Sequence, residues 1–457
     1  IPIYNQSFPI KIVDFKLPHF SKPWFSHGLQ TSCKRKNALY KQYVINPTPL
    51  NKSKNKKFRN KYNYLVKLAR KKYFHEKLIS VTSNLKNTWS VIKQVISKKK
   101  TEHLLPCTMK DTKDTYSDPS LIANKFNDYF INIGPNLANQ IPPSQVSHKQ
   151  FLVNNFTNSF LLSPTSPLEV SSVVSSLKNS RSEGVDGLCI LPIKESIDIL
   201  ATPLSHIFNL SFSSGVFPDE LKIGKILPIF KNDDSSVFSN YRPISILPCL
   251  FKVLKKLFYS RLFDFLVKFN VLNHHQYGFR QNYSTYMAIL ELVNNIYQGF
   301  ENNEYTIGIF VDLKKAFDLV NHNILLDKLN FYGIRGTPLA WLASYLSNRQ
   351  QYIQIHDQTS PYKKINCGVP QGSVLGPLLF LIYINDLFHS SKYLSFILFA
   401  DDTNIFFRHK DIFTLINTVN DELCLVSSWF NANKLTLHPD KTKFILFHPT
   451  RKKVNLG

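Results

Sequence analysis

The stretch Ser395–Phe406, SFILFADDTNIF, decides the fold. Two short apolar runs, Ser395 to Ala400 and Thr403 to Phe406, flank Asp401 and Asp402, a pattern that predicts a tight β-hairpin with both carboxylates at its tip. Adjacent carboxylates repel, and burial of the two arms penalises their charged forms, so the pair is costly unless a cation neutralises it. A divalent metal suits that place. An Asp-Asp pair also makes an ordinary polar turn, so the surrounding sequence has to choose.

Upstream, Thr306 to Asp318 reads TIGIFVDLKKAFD. The β-branched and aromatic run Thr306 to Val311 predicts a central strand ended by Asp312, with helical spacing from Lys314 onward. If this strand lies beside the hairpin, Asp312 faces Asp401 and three carboxylates converge. Hard oxygen ligands of this kind suit Mg²⁺, which keeps several waters and binds through one or two carboxylates plus substrate phosphates. Two such ions activate an attacking hydroxyl and stabilise the leaving oxygen in phosphoryl transfer.

The ordered set VDLKKAFD, CGVPQGSVLGPLLFLIYIND, FADD and LTLHPDKTKFILF, preceded by LPIFKND, NYRPISIL and HQYGFRQNYST, resembles the reverse transcriptases of non-LTR retrotransposons, jockey-like or CR1-like. Several motifs in one order are far more specific than any one alone. The resemblance runs from about Leu221 to Phe447. It implies an α+β right-hand polymerase, fingers and palm with an antiparallel palm sheet and packed helices, preceded by a basic helical region. The expected divisions are 1–115 basic region, 116–165 packing helix and Ser/Asn/Pro-rich loop, 166–300 fingers and 301–457 palm. A thumb, which the family implies beyond the palm, is not recognised, so the chain reads as a fragment.

The resemblance also assigns roles. Asp312, Asp401 and Asp402 become the catalytic ligands of two Mg²⁺ ions, with Mn²⁺ a substitute, and Lys441 or Lys443 becomes the pyrophosphate-side general acid, Lys441 being carried forward. Phe317, five residues after Asp312, is large enough to exclude a 2′-hydroxyl, and its match to the family's steric gate outweighs the plain reading of AFD as core. Lys231 and Arg242 suit a triphosphate clamp, the plain alternative being ordinary surface charge. Gln371 and Gly372, in a Pro/Gly-framed turn, are implied to contact the nucleotide and template. Gly278 permits a tight backbone, and Arg280 reads either as a template-phosphate contact or as half of a structural ion pair. Expected partners are an RNA template, a DNA primer and deoxynucleoside triphosphates; oligomeric state is not legible. The rival within enzymes is an RNA-templated RNA polymerase. The rival outside them is an inactive RNA-binding relic of such an element.

Composition agrees with a nucleic-acid partner. The 457 residues carry a formal charge of +25, and Ile1 to Lys110 holds 24 Lys plus Arg against 3 Asp plus Glu, or +21 of it. Clustered cations gain affinity for phosphate backbones by releasing counterions, and the aromatics interleaved from Phe58 to Trp89 suit either base stacking or packing against a neighbour. The six cysteines show no Cys-x-x-Cys spacing, so they read as reduced intracellular thiols rather than as disulfides or a zinc site; nucleus and cytoplasm both fit. The longest apolar stretch, Val374 to Ile384, is too short for a membrane span. Helices are expected at Asp118 to Ile141, Leu247 to Leu266, Tyr286 to Gly299, Asn323 to Tyr332 and Ile412 to Phe430, from apolar positions at helical spacing.

Overall fold

A computed structural model describes residues 22–81, 85–96, 106, 108–111, 114–153, 156–231, 233–452 and 454. The chain forms two compact units, Ile1–Leu104 and Leu105–Gly457. Of the basic region, 1–21 and 97–105 lie outside the described residues.

The first unit is helical. Ser26 opens α1, His27–Ile45, by accepting from the Leu29 N–H; Thr48 does the same for Asn51 at the start of α2, Pro49–Ile79, where Pro49 fits the first turn. A third helix, α3, spans Leu85–Ile96. Trp24 lies 5.9 and 5.4 Å from the rings of Tyr73 and Phe74, and Arg70 covers its face at 5.6 Å. Packing therefore consumes Tyr62 and Phe74, while Tyr40, Tyr64 and Trp89 stay exposed among the lysines.

In the second unit a small ribbon, β1 Met109–Lys110 and β2 Thr115–Tyr116, leads into α4, Pro119–Ala138, capped by Asp118. Helices α5 Pro167–Ser176, α6 Ile190–Glu195 and α7 Ile197–Ser214 precede strands β3 Ile223–Phe230 and β4 Tyr241–Ile246. Next come α8 Cys249–Lys268, α9 Thr285–Glu301, β5 Tyr305–Val311, α10 Ala316–Leu319, α11 His322–Phe331 and α12 Thr337–Leu346. The remainder is β6 Gln350–Ile355, β7 Gln358–Thr359, β8 Lys363–Lys364, α13 Leu375–Ile384, β9 Ser395–Phe399, β10 Asp402–His409, α14 Ile412–Ala432 and β11 Lys443–Phe447.

Two sheets organise this unit. One is antiparallel in the order β11-β5-β10-β9, with Val311 opposite Thr403 and Phe310 opposite Lys443. The apolar strand β5 is thus interior, as its composition predicts, and α14 packs on this sheet. The other runs β4-β3-β6-β7, with β8 also on β6; β3 and β6 are parallel, Ile223 opposite Gln350. Beneath α11, α13 and α14 the buried Lys328 ammonium donates to the Tyr383 carbonyl at 2.5 Å and to Asp386, whose other oxygen accepts from the Trp429 indole N–H at 3.1 Å. Such a buried pair holds its three helices in one arrangement, because losing one partner strands the other charge.

Strands β6 to β8, from the range expected as palm, extend the sheet of β3 and β4, from the range expected as fingers. The expected packing helix is α4: Ile122, Phe126, Phe130 and Ile133 pack in one core with Ile226, Tyr241 and Ile353 of the β3-β4-β6 sheet. The helix expected from Lys314 is reduced to one turn, because Lys315 takes a left-handed φ of +48° and breaks the spiral before Ala316. Elsewhere helix limits move by two residues or fewer at most ends; α4 stops three residues short of Ile141, and α11 ends before Gly333, whose φ is +93°. No helix among the described residues is long and apolar enough to cross a membrane.

Candidate active site

The hairpin forms through a two-residue turn, Ala400–Asp401, with Asp402 already in β10 opposite Phe399. Ala400 has a φ of +59°, a conformation that costs a non-glycine residue about 1–2 kcal/mol. Gln276, 2% exposed, holds it. The Gln276 Oε1 accepts from the N–H groups of Ala400, at 3.0 Å, and Gly278, at 2.8 Å. The Tyr277 N–H donates to the Leu398 carbonyl and the Leu398 N–H to the His275 carbonyl, at 2.8 and 2.9 Å. Gly278 therefore lies flat on the hairpin tip, where a Cβ would stand 2.1 Å from the Ala400 nitrogen. Gln276 lies within the HQYGFRQNYST motif, yet its role depends on a partner more than 120 residues away, which local sequence does not reveal.

Asp312 follows β5, so the pairing of β5 with β10 brings it beside the turn. Asp312, Asp401 and Asp402 line one cavity of about 940 Å³. Burial pushes the Asp401 carboxyl up, with the Asp312 charge adding to this and Arg242 opposing it. Asp402 is pushed up by burial first and then by its two anionic neighbours. The Lys441 ammonium stands 3.8 Å from Asp312 Oδ2, and the His438 N–H donates to the Asp312 carbonyl at 2.9 Å. Lys443 begins β11 and is not among the lining residues, whereas Lys441 sits in the turn before it.

Cations line this cavity as well. Lys231, at the end of β3, and Arg242, in β4 opposite Ile229, line the same cavity together with Lys314 and Lys315. Lys315, unremarked in the sequence, is held by its left-handed backbone; burial lowers its ammonium pKa, Asp318 opposes this, and the cations Lys231, Arg242 and Lys441 add to it. Phe317 lines the cavity and stacks on Phe380 at 4.6 Å. Gln371 lines it too, and the Ser245 N–H of β4 donates to the Gln371 carbonyl at 3.2 Å. Gly372, with φ +90°, lies against Ile244 and Ser245.

Arg280 does not join this cluster. Its guanidinium donates to the carbonyls of Asn273 and Gln276, at 2.7 and 3.2 Å, and lies 4.1 Å from the Tyr283 ring. Those contacts, to backbone carbonyls and a ring rather than to a carboxylate, clip the loop that carries Gln276.

Among the described residues no group of three or more His, Cys, Asp or Glu side chains is arranged to hold a metal ion by itself. The donor set nonetheless fits Mg²⁺, which takes only one or two carboxylates from a protein and completes its shell with water and substrate phosphates. The raised Asp401 and Asp402 carboxyls mark the negative charge such an ion would neutralise.

An α+β unit that gathers strand-end carboxylates and cations around one open cavity has the makings of a phosphoryl-transfer enzyme. Residues 229–456 match the family described as Reverse transcriptase (RNA-dependent DNA polymerase), and the chain belongs to that family. It is 30% identical over 296 residues to the probable RNA-directed DNA polymerase from transposon BS of Drosophila melanogaster, covering 61% of this chain and 32% of the relative. It is 28% identical over 309 residues to the RNA-directed DNA polymerase from mobile element jockey of the same species, covering 65% and 33%. The chain thus spans about a third of the length of these relatives, and the jockey-like resemblance of its motifs is the one its relatives bear.

Proposed function

We propose that the chain is the polymerase part of a retrotransposon protein and that its cavity adds deoxynucleotides to a primer 3′-hydroxyl on an RNA template. The reading rests on one observation above all: Asp312 and Asp401, at the ends of neighbouring strands, share a cavity with Lys231, Arg242 and Lys315, in a chain of the reverse transcriptase family. The four-stranded sheet is then the palm and the β3-β4-β6 sheet the fingers.

Asp312 and Asp401, supported by Asp402, would hold two Mg²⁺ ions. When bound, these activate the attacking hydroxyl and offset charge on the phosphates. Lys231, Arg242 and Lys315 bind the triphosphate, the Arg through its planar fork and the lysines as point charges. Phe317 closes the space a 2′-hydroxyl would need. Lys441 neighbours Asp312 and is the group from which a proton reaches the departing pyrophosphate. In the first unit, exposed lysines with Tyr64 and Trp89 between them grip single-stranded nucleic acid.

Extension of oligo(dT) on poly(rA) with dTTP and Mg²⁺ tests the activity. Template-dependent incorporation is expected. RNA binding with no extension would favour an inactive relic instead.

A further inference from the structure

Two cations lie buried outside the lining of the catalytic cavity. Lys255, on α8, is 1% exposed, and Arg349, in the turn between α12 and β6, is 5% exposed. A buried ammonium or guanidinium ordinarily meets a carboxylate, as Lys328 meets Asp386. These two do not: among the described residues neither side chain forms an ion pair or donates a hydrogen bond. The charges that bear on Lys255 are the cations Arg349 and Lys252, and the group that bears on Arg349 is the Tyr345 phenol. The nearby carboxylate Asp186 acts on Lys252 and Cys249 instead.

Their surroundings supply donors and ring faces. The Lys255 Nζ lies 3.8 Å from the centre of the Phe251 ring, a cation–π contact that offsets part of the lost hydration but brings no counter-charge. Phe251 lies 6.0 Å from the ring of Tyr345, whose buried hydroxyl stands by that of Ser373 yet closes no hydrogen bond among the described residues. Arg349 borders a cavity of about 40 Å³, room for one water or one ion of similar size. Asp318 borders this cavity too, but the cation that acts on its carboxylate is Lys315 and not Arg349, so it stands at the far end.

We propose that Lys255 and Arg349 bind one small inorganic anion of chloride size, with the Tyr345 hydroxyl as a third donor, and that this ion completes the packing of α8 against the turn between α12 and β6. The reasoning is an inventory of charges and donors. A guanidinium keeps its proton in a protein, so Arg349 stays charged and has only donors to offer. The Lys255 ammonium adds three donors and the phenol one more. A water accepts hydrogen bonds but leaves the charge uncompensated, which is costly where water is excluded; an anion answers both needs. A cavity of this size suits a single halide and not a phosphate. Burial first and Arg349 next push the Lys255 ammonium pKa down, so the arrangement that competes with a bound ion is a neutral lysine whose amine accepts from the Arg349 guanidinium. The inference is independent of the polymerase reading.

The test is thermal unfolding of the whole chain as chloride replaces gluconate at constant ionic strength, for the wild type and for Lys255→Met. A ligand held only by the folded state stabilises it by mass action, so each tenfold rise in chloride above its dissociation constant should raise the wild-type Tm by about 2 °C. Lys255→Met keeps an unbranched side chain against Phe251 and removes one of the two charges. It should unfold in gluconate at or above the wild-type Tm and lose most of the chloride response. Chlorine NMR reads the same event directly: the wild type should broaden the chloride line, bromide should compete the broadening away, and the variant should broaden it less. A wild-type Tm that ignores chloride overturns the proposal and needs no variant. A chloride response retained in full by Lys255→Met also overturns it, by placing the ion on the basic surface. So does a variant that fails to fold or unfolds well below the wild type in gluconate, the outcome for a neutral lysine already bonded to Arg349.

Discussion

Gly278→Ala tests whether the hairpin tip is held as the structure describes. The added Cβ would stand 2.1 Å from the Ala400 nitrogen, 2.8 Å from its Cα and 2.9 Å from the Phe399 carbonyl carbon, all backbone atoms. Ordinary contact begins at 3.4 Å, so the two segments must part by about 1.3 Å, the difference between 3.4 and 2.1. They are not free to do so. Gln276 bridges the Gly278 and Ala400 N–H groups, and two backbone hydrogen bonds tie Tyr277 and His275 to Leu398. Either those bonds stretch or the turn rotates, and Asp401 follows Ala400 directly. Forcing an extra methyl into a packed site costs about 1–3 kcal/mol, and a misplacement of about 1 Å at a reacting centre costs on the order of 100-fold in rate. The assay is single-turnover incorporation on a preformed primer-template, with thermal unfolding alongside. We expect cooperative unfolding at a lower Tm and about a 100-fold loss in kcat/KM. Gly28→Ala serves as the control, because its Cβ would meet only the Ser26 hydroxyl at 3.9 Å. Rates within threefold of wild type and an unchanged Tm, each about the noise of such assays, would refute the claim that this glycine seats the hairpin.

Two further outcomes follow from the proposed roles. Replacing Phe317 by Val opens the cavity wall beside Asp312 and should raise ribonucleotide use relative to deoxynucleotide use on the order of tenfold or more; a ratio that does not move would remove the ring as sugar gate. Deleting Ile1 to Leu104 removes a compact unit and should flatten the dependence of log K for RNA on log salt by roughly 0.7 to 0.9 for each phosphate that is no longer neutralised. An unchanged slope would make that charge a solvated surface.

The parts of the molecule written in local pattern were legible. Alternating and apolar runs around Asp312 and Asp401 gave β5 and the hairpin, and the 3.6-residue spacing of Ile412, Leu415, Val419 and Val426 gave α14. The parts that depend on distant chain were not. The parallel pairing of β3 with β6 joins Ile223 to Gln350 and has no signature in either segment. The left-handed backbone of Lys315 hid inside a sequence that favours helix, and tertiary packing overrode that preference. Gln276 looked like an ordinary polar residue because its meaning lies in what it holds, Ala400. Arg280 shows the converse: a cation in a suggestive motif is occupied by its own loop.

The most direct test of the account is incorporation by Asp312→Asn and Asp401→Asn, measured beside primer-template binding. Each change keeps the side-chain shape and removes one of the charges that face each other across the strand pair. The account expects incorporation to fall on the order of 1,000-fold or more while primer-template affinity stays within a few fold. Near-normal extension by either variant would contradict it, since a centre built on these carboxylates cannot work with one neutralised.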